Sequence, residues 1–190
     1  MFSASDLRKG LKVEIDGAPY IITEFNFTKP GKGQAIYNCK LKNLANGTTL
    51  TKSYRSNDKL DKPELAQHVL TYSYKDGDHY IFMDENYAQI SMGADELGDA
   101  RFFLVEDIEV EVLYHKGRPI EVVLPTFVEK EIVYTEPGAR GDTATNVLKP
   151  GKIDTGYELS IPLFVNQGDI VKIDTRTGDY ADRVLKKAQA

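Results

Sequence analysis

Tyr20-Ile21-Ile22-Thr23-Glu24-Phe25-Asn26-Phe27, then Lys29-Pro30-Gly31-Lys32-Gly33-Gln34-Ala35, then Ile36-Tyr37-Asn38-Cys39-Lys40-Leu41-Lys42 is the stretch from which the fold is read. The first run is aromatic and β-branched, the composition of a strand. From Ala35 the chain alternates, with Ala35, Tyr37, Cys39 and Leu41 on one face and Asn38, Lys40 and Lys42 on the other. That period of two marks a half-buried strand. Between the runs, Pro30 fixes its own φ and removes a donor, and Gly31 and Gly33 are expected to take positive φ in a tight turn. The three pieces predict a β-hairpin with Lys32 exposed at its tip. An exposed lysine on a turn is ordinarily a solubilising group. Set between two glycines, it is also a means of presenting one cation to a partner. A phosphate loop is excluded, because Gly31-Lys32 runs into Gly33-Gln34 and a strand rather than into Ser or Thr opening a helix.

The same rhythm continues outward. Asp16-Gly17, Asn46-Gly47, Asp76-Gly77, Lys116-Gly117 and Thr177-Gly178 each separate apolar alternations, which predicts a mostly β protein. Strands are expected near residues 12–15, 20–27, 35–44 and 48–54, then 71–83 (a hairpin), 108–114 and 120–124, then 131–135, 157–164 and 170–174. Short helices are expected at residues 62–68, where Pro63 suits a first turn, and at 95–98. No internal repeat is evident. The pattern passes from one strand to the next through Thr126-Phe127-Val128-Glu129 with almost no linker, which implies limited relative motion there.

At 190 residues the chain has material for one sizeable domain or two to three small ones. No long apolar run and no secretory leader appears, so a soluble intracellular protein with no membrane partner is expected. Cys39 is the single cysteine; among Tyr37 and Leu41 it reads as a packed thiol rather than a nucleophile. The net charge of −5 conceals an asymmetry: residues 1–64 carry +4, residues 65–128 carry −8 and residues 129–190 carry −1. The basic third, which also holds the Lys32 loop, suggests a polyanion at one end of the molecule.

Enzymatic chemistry finds little support. His68, His79 and His115 lack metal-ligand spacing and are expected to be solvated. Asp107, Glu109 and Glu111 alternate with Ile108, Val110 and Val112, as on a half-exposed strand. No nucleophile elbow or dinucleotide fingerprint occurs. Nucleic-acid binding fares better. Lys29, Lys32, Lys40, Lys42, Lys52 and Arg55 are placed to form a basic surface against phosphates, or equally the charged side of a half-buried barrel. Pro137-Gly138-Ala139-Arg140-Gly141-Asp142-Thr143 offers hydrogen-bonding groups of the kind that meet unstacked bases, or a turn in which Asp142 caps its own backbone.

The loop heptapeptide, Ser5-Asp6-Leu7-Arg8-Lys9-Gly10, Gly141-Asp142-Thr143-Ala144, Pro162-Leu163-Phe164-Val165 and Val171-Lys172-Ile173-Asp174-Thr175-Arg176-Thr177-Gly178-Asp179-Tyr180 together closely resemble bacterial translation elongation factor P. The resemblance runs nearly end to end. It implies an all-β chain of three small β-barrel domains in an elongated L that approximates tRNA. These would be a KOW/SH3-like domain over residues 1–64, an OB-fold over 65–128 and a second OB-fold over 129–190. It implies a cytoplasmic monomer, not an enzyme, without cofactor or metal. Such a factor enters the 70S ribosome between the P and E sites and stimulates peptide-bond formation stalled at consecutive prolines.

By the same resemblance Lys32 is the lysine lengthened by a lysyl-tRNA-synthetase-like modifying enzyme, for instance by β-lysylation, and it approaches the acceptor end of P-site peptidyl-tRNA. Lys29, Pro30, Gly31, Gly33, Gln34, Lys40, Lys42 and Arg55 would contact tRNA or rRNA. Gly141, Asp142 and Thr143 would face mRNA in the E site, and Arg176, Tyr180 and Arg183 would contact the ribosome and tRNA. The chain departs from many lysine-type relatives at Ile36, where an aromatic is common, and in a slightly short Asp84-Glu85-Asn86-Tyr87 turn. A branch with rhamnosylated arginine at the tip is unlike Lys32. The hypusine-bearing sibling factor has two domains. Two other readings stand beside this one: a general single-stranded RNA-binding OB-fold protein, and an enzyme using the acidic second domain.

Overall fold

A computed structural model describes residues 1–138 and 147–185. In chain order the strands are β1 (Phe2–Ser3), β2 (Lys12–Ile15), β3 (Ala18–Thr28), β4 (Ile36–Asn43), β5 (Thr49–Arg55), β6 (Lys59–Leu60), β7 (Leu65–Asp76) and β8 (His79–Met83). They continue as β9 (Gln89–Gly93), β10 (Glu109–His115), β11 (Arg118–Val123), β12 (Phe127–Thr135), β13 (Leu148–Ile153), β14 (Glu158–Pro162), β15 (Ile170–Asp174) and β16 (Asp179–Leu185). One α-helical turn, α1 (Ala94–Leu97), falls where residues 95–98 were expected to be helical. The sheets run β2-β3-β4-β5, β11-β10-β7-β8-β9 and β14-β13-β12-β15-β16, with a small β1-β6 pair. The chain is all-β, as its alternation implies.

Two-residue hairpin turns set the register. Asp16 and Gly17 both have positive φ (51° and 77°), as do Lys116 and Gly117 (51° and 77°). This pairing matches the twist of the flanking strands, and glycine takes the second position without a Cβ penalty.

Packing divides the chain into two compact units, Met1–His68 with Val112–Glu121, and Val69–Glu111 with Val122–Ala190. The first is built on Ala4, Leu7, Val13, Ile22, Cys39, Leu41, Tyr54 and Leu60. Each fully buried aliphatic side chain here contributes about 1.5–3 kcal/mol of transfer free energy. Cys39 is 1 % exposed, and burial raises its thiol pKa, so it is the packed residue its neighbours implied. The second unit is centred on Phe103, Val128, Ile132, Ile153, Leu159, Ile161, Val165, Val171 and Ile173. Val110 and Val112 are buried while Glu109 and Glu111 are exposed, which confirms the solvated acidic face.

Two expectations are corrected. Residues 62–68 form no helix, because Leu65 already begins β7, a long strand whose neighbours in the sheet are β10 and, from Thr71 on, β8. A seven-residue helix would lack the length to stabilise itself, whereas the start of β7 finds backbone partners across the sheet, on the β10 side, since pairing with β8 begins only at Thr71. His115 is buried rather than solvated, with Nε2 3.0 Å from Glu14 Oε1. Its partner lies 101 residues away in sequence, so local spacing carries no trace of it. His68 and His79 are exposed as expected.

Candidate nucleic-acid interface

β3 and β4 pair from Tyr20↔Asn43 to Thr28↔Ile36, with an irregularity between Ile22 and Glu24, and β5 extends the sheet from Lys42↔Thr49 to Ile36↔Arg55. The hairpin predicted from sequence is therefore present, and its connection is residues 29–35. Lys29, Pro30, Gly31, Lys32, Gly33 and Gln34 are all exposed. The reason for the glycines differs from the expected one: among the residues with positive φ, neither Gly31 nor Gly33 appears. A Cβ on Gly31 would meet nothing within 4 Å, and one on Gly33 would touch only Pro30, at 3.4 Å from its Cγ. The glycines thus leave the backbone beside Lys32 bare, and Lys32 is the largest group at the tip.

Side-chain alternation sorts the other cations. By register, Asn38, Lys40 and Lys42 of β4 share a face with Thr49, Thr51, Ser53 and Arg55 of β5. Lys40 and Lys42 stand two positions apart, about 7 Å along the strand. Arg55 lies at the loop end of the same face, opposite Ile36. Lys40 Nζ is 3.0 Å from Glu24 Oε1, an exposed pair whose worth is small and salt-dependent. Lys52 falls on the other face, its Nζ 5.6 Å from the Tyr54 ring centroid. Between Glu24 and Asp58 the chain has no acidic residue and six basic ones. The net charge of this segment is positive, suited to a phosphate backbone.

Sequence reasoning did not single out an aromatic row at the same end. Phe27, Tyr37 and Tyr54 are consecutive cross-strand partners, and the Phe27 and Tyr37 rings are 5.0 Å apart. The alternation of Phe25 with Phe27 contains the signal, but only the register places the rings beside one another.

In the other compact unit, the C-terminal candidates are each engaged internally. Arg176 donates to Asp174 through Nε (3.0 Å) and Nη2 (2.8 Å), which holds the Asp174 carboxyl below the usual range. Tyr180 is half-buried against the core, and burial raises its hydroxyl pKa. Arg183 stacks 4.8 Å from the Phe164 ring centroid, donates to the Phe164 carbonyl at 3.3 Å and lies 3.8 Å from buried Asp169. Only Arg176 presents its head group broadly to solvent, with 68 % of the side chain exposed. Gly141, Asp142 and Thr143 lie outside the described residues. Among the described residues, no group of three His, Cys, Asp or Glu side chains is placed to hold a metal, and no helix is long and apolar enough to cross a membrane.

Three family models match successive parts of the chain. Residues 3–60 match a family model described as the elongation factor P KOW-like domain, 65–122 the elongation factor P OB domain, and 128–183 the elongation factor P C-terminal region. Elongation factor P of Desulfotalea psychrophila is 49 % identical over 185 residues, covering 97 % of this chain and 99 % of that protein. The Acetivibrio thermocellus protein of the same name is 46 % identical, covering 97 % and 100 %. Among solved structures, translation initiation factor 5A from Methanococcus jannaschii superposes with a TM-score of 0.52 at 22 % identity, over 65 % of this chain and 93 % of that one. This last likeness concerns the fold alone.

Proposed function

Since the chain belongs to the elongation factor P family, whose members are translation factors and not enzymes, we propose that it binds the ribosome between the P and E sites and relieves stalling at consecutive prolines. The observation that carries this reading is the bare loop: Lys32 stands exposed between two glycines at the end of a sheet whose 33 residues between Glu24 and Asp58 include no acid.

The role is positional. Proline reacts poorly in part because its ring constrains the backbone. A cation held against the acceptor end of peptidyl-tRNA restricts the ester to geometries in which the incoming amine attacks, and orientation of that kind lowers a barrier without any proton transfer by the factor. Lys40, Lys42 and Arg55 on the sheet face, with Lys29, Pro30, Gly31, Gly33 and Gln34 around the tip, position the domain on tRNA and rRNA backbone; such contacts fix register rather than sequence. Extension of Lys32 by a lysyl-tRNA-synthetase-like enzyme lengthens the reach of the same charge.

In the C-terminal domain, Gly141, Asp142 and Thr143 are assigned to mRNA in the E site. Arg176 is the broadly exposed member of its group, while Tyr180 and Arg183 shape the surface beside it. The three domains are assigned to residues 1–64, 65–128 and 129–190. Replacement of Lys32 by alanine, assayed on a polyproline reporter, tests the reading.

A further inference from the structure

We propose that Phe27 is a base-stacking residue, holding an unpaired nucleobase at the 3′ end of the tRNA whose acceptor end Lys32 approaches. This rests on the ribosomal reading above and names a contact within it.

Phe27, Tyr37 and Tyr54 form one row across β3, β4 and β5. Burial falls outward along it: Tyr54 is 6 % exposed, Tyr37 half-buried and Phe27 48 % exposed. The Phe27 ring is braced by Tyr37, at 5.0 Å between centroids with planes at 57°, and Tyr37 in turn by Phe25 at 6.3 Å. The exposed ring is therefore held by its neighbours, and little rotamer freedom remains to be lost when a second ring covers it. One further pair, Thr28↔Ile36, separates this row from the loop that carries Lys29 and Lys32.

The surrounding charge selects the occupant. An aliphatic or aromatic protein side chain would cover Phe27 without regard to charge, whereas a nucleotide brings a π-face and a phosphate together. Lys40, Lys42 and Arg55 lie on the opposite face of the sheet. The second requirement is therefore met by Lys29 and Lys32 of the adjoining loop and by Lys52, which shares the face of the aromatic row and has its Nζ 5.6 Å from the Tyr54 ring centroid. The two bounding carboxylates are both engaged, Glu24 by Lys40 Nζ at 3.0 Å and Asp58 by the Arg55 backbone N–H at 2.8 Å. Exposed aromatic surface set among cations is the pattern by which unpaired nucleic acid is held without base selection.

The test measures peptide-bond formation on ribosomes carrying a prolyl-tRNA pair while the intact factor is titrated, for wild type, Phe27→Leu, Phe27→Trp and Lys32→Ala. Leucine keeps an apolar group on the strand but removes the π-face; tryptophan restores it. Stacking predicts that Phe27→Leu raises the half-maximal concentration on the order of ten-fold, that Phe27→Trp returns it to near the wild-type value, and that the thermal midpoints of the two variants agree. If Phe27→Leu matches wild type while Lys32→Ala is impaired, stacking is wrong and the ribosomal reading stands. Equal impairment of the leucine and tryptophan variants would likewise overturn stacking, since the effect would then not follow the aromatic ring. A Lys32→Ala factor as active as wild type would remove the underlying reading and this one with it.

Discussion

His115 Nε2 lies 3.0 Å from Glu14 Oε1, joining a buried imidazole near the end of β10 to a carboxylate on β2. Two further links run beside it: Lys12 Nζ sits 3.1 Å from Glu121 Oε2, and Lys116 Nζ donates to the Gly17 carbonyl at 3.2 Å. A hairpin far along the chain is thereby stapled to the first sheet by polar contacts. Replacing His115 with alanine leaves Glu14 without its partner, and the expected loss is about 1–3 kcal/mol of stability. A thermal double-mutant cycle of His115→Ala with Glu14→Gln is expected to show coupling of roughly 0.5–3 kcal/mol. Additive effects would mean that the pair is incidental.

Tyr54 contributes a buried hydroxyl to the first core that has no hydrogen-bond partner among the described residues. Burial is the main cause that pushes its pKa up to about 12, with Cys39 and Asp58 adding to it. The unfolded hydroxyl ionises first, near 10, so this group's contribution to stability is complete below about pH 10 and is lost as pH rises from there toward 12. Tyr54→Phe is expected to be neutral or stabilising by about 1 kcal/mol at pH 7. It is also expected to lose less stability than wild type when denaturation is followed from pH 9 to 12.

Gly151 is a packing requirement in β13. A Cβ at that position would lie 2.6 Å from Ile161 Cδ1 and 3.2 Å from its Cγ1, and Ile161 is fully buried. Gly151→Ala is therefore expected to cost about 1–3 kcal/mol through overpacking. Trimming the neighbour should recover part of this, so Gly151→Ala with Ile161→Val, followed by denaturant titration, should cost less than the sum of the single changes.

Lys42 and Arg55 share the outer face of the first sheet, so their effect on ribosome binding is expected to be electrostatic. Changing both to glutamine should make the slope of log affinity against log salt shallower by about 1.5, as for the loss of two phosphate contacts. An unchanged slope would place the phosphate contacts elsewhere.

Much of the fold was legible because alternation and turn chemistry are local. The hairpin over residues 20–42 needs only its own residues to be read, and so do the Asp16-Gly17 and Lys116-Gly117 turns. β13 was not legible, because Pro150 and Gly151 interrupt any strand signal. Their tolerance there depends on register: Pro150 lies opposite Ser160 with its ring exposed, and Gly151 fills the narrow space beside Ile161. β7 was misread at its start because residues 62–68 carry a helix-opening proline, while the strand's partner there is β10, more than forty residues further along the chain. For the candidate site, the exposed lysine was readable from Pro30, Gly31 and Gly33, although the reason for the glycines was not. The internal partners of Arg176 and Arg183 and the Phe27–Tyr37–Tyr54 row arise from cross-strand or turn geometry that a linear reading does not contain.

The central claim, that Lys32 acts as the working tip of a translation factor, is tested most directly by one comparison. In cells lacking the native factor, wild-type chain and Lys32→Ala are supplied at equal abundance, and synthesis of a reporter containing consecutive prolines is measured against the same reporter without them. The account predicts that wild type restores the polyproline reporter, that Lys32→Ala leaves it stalled, and that the proline-free reporter is indifferent to both. Equal restoration of the polyproline reporter by Lys32→Ala would contradict it.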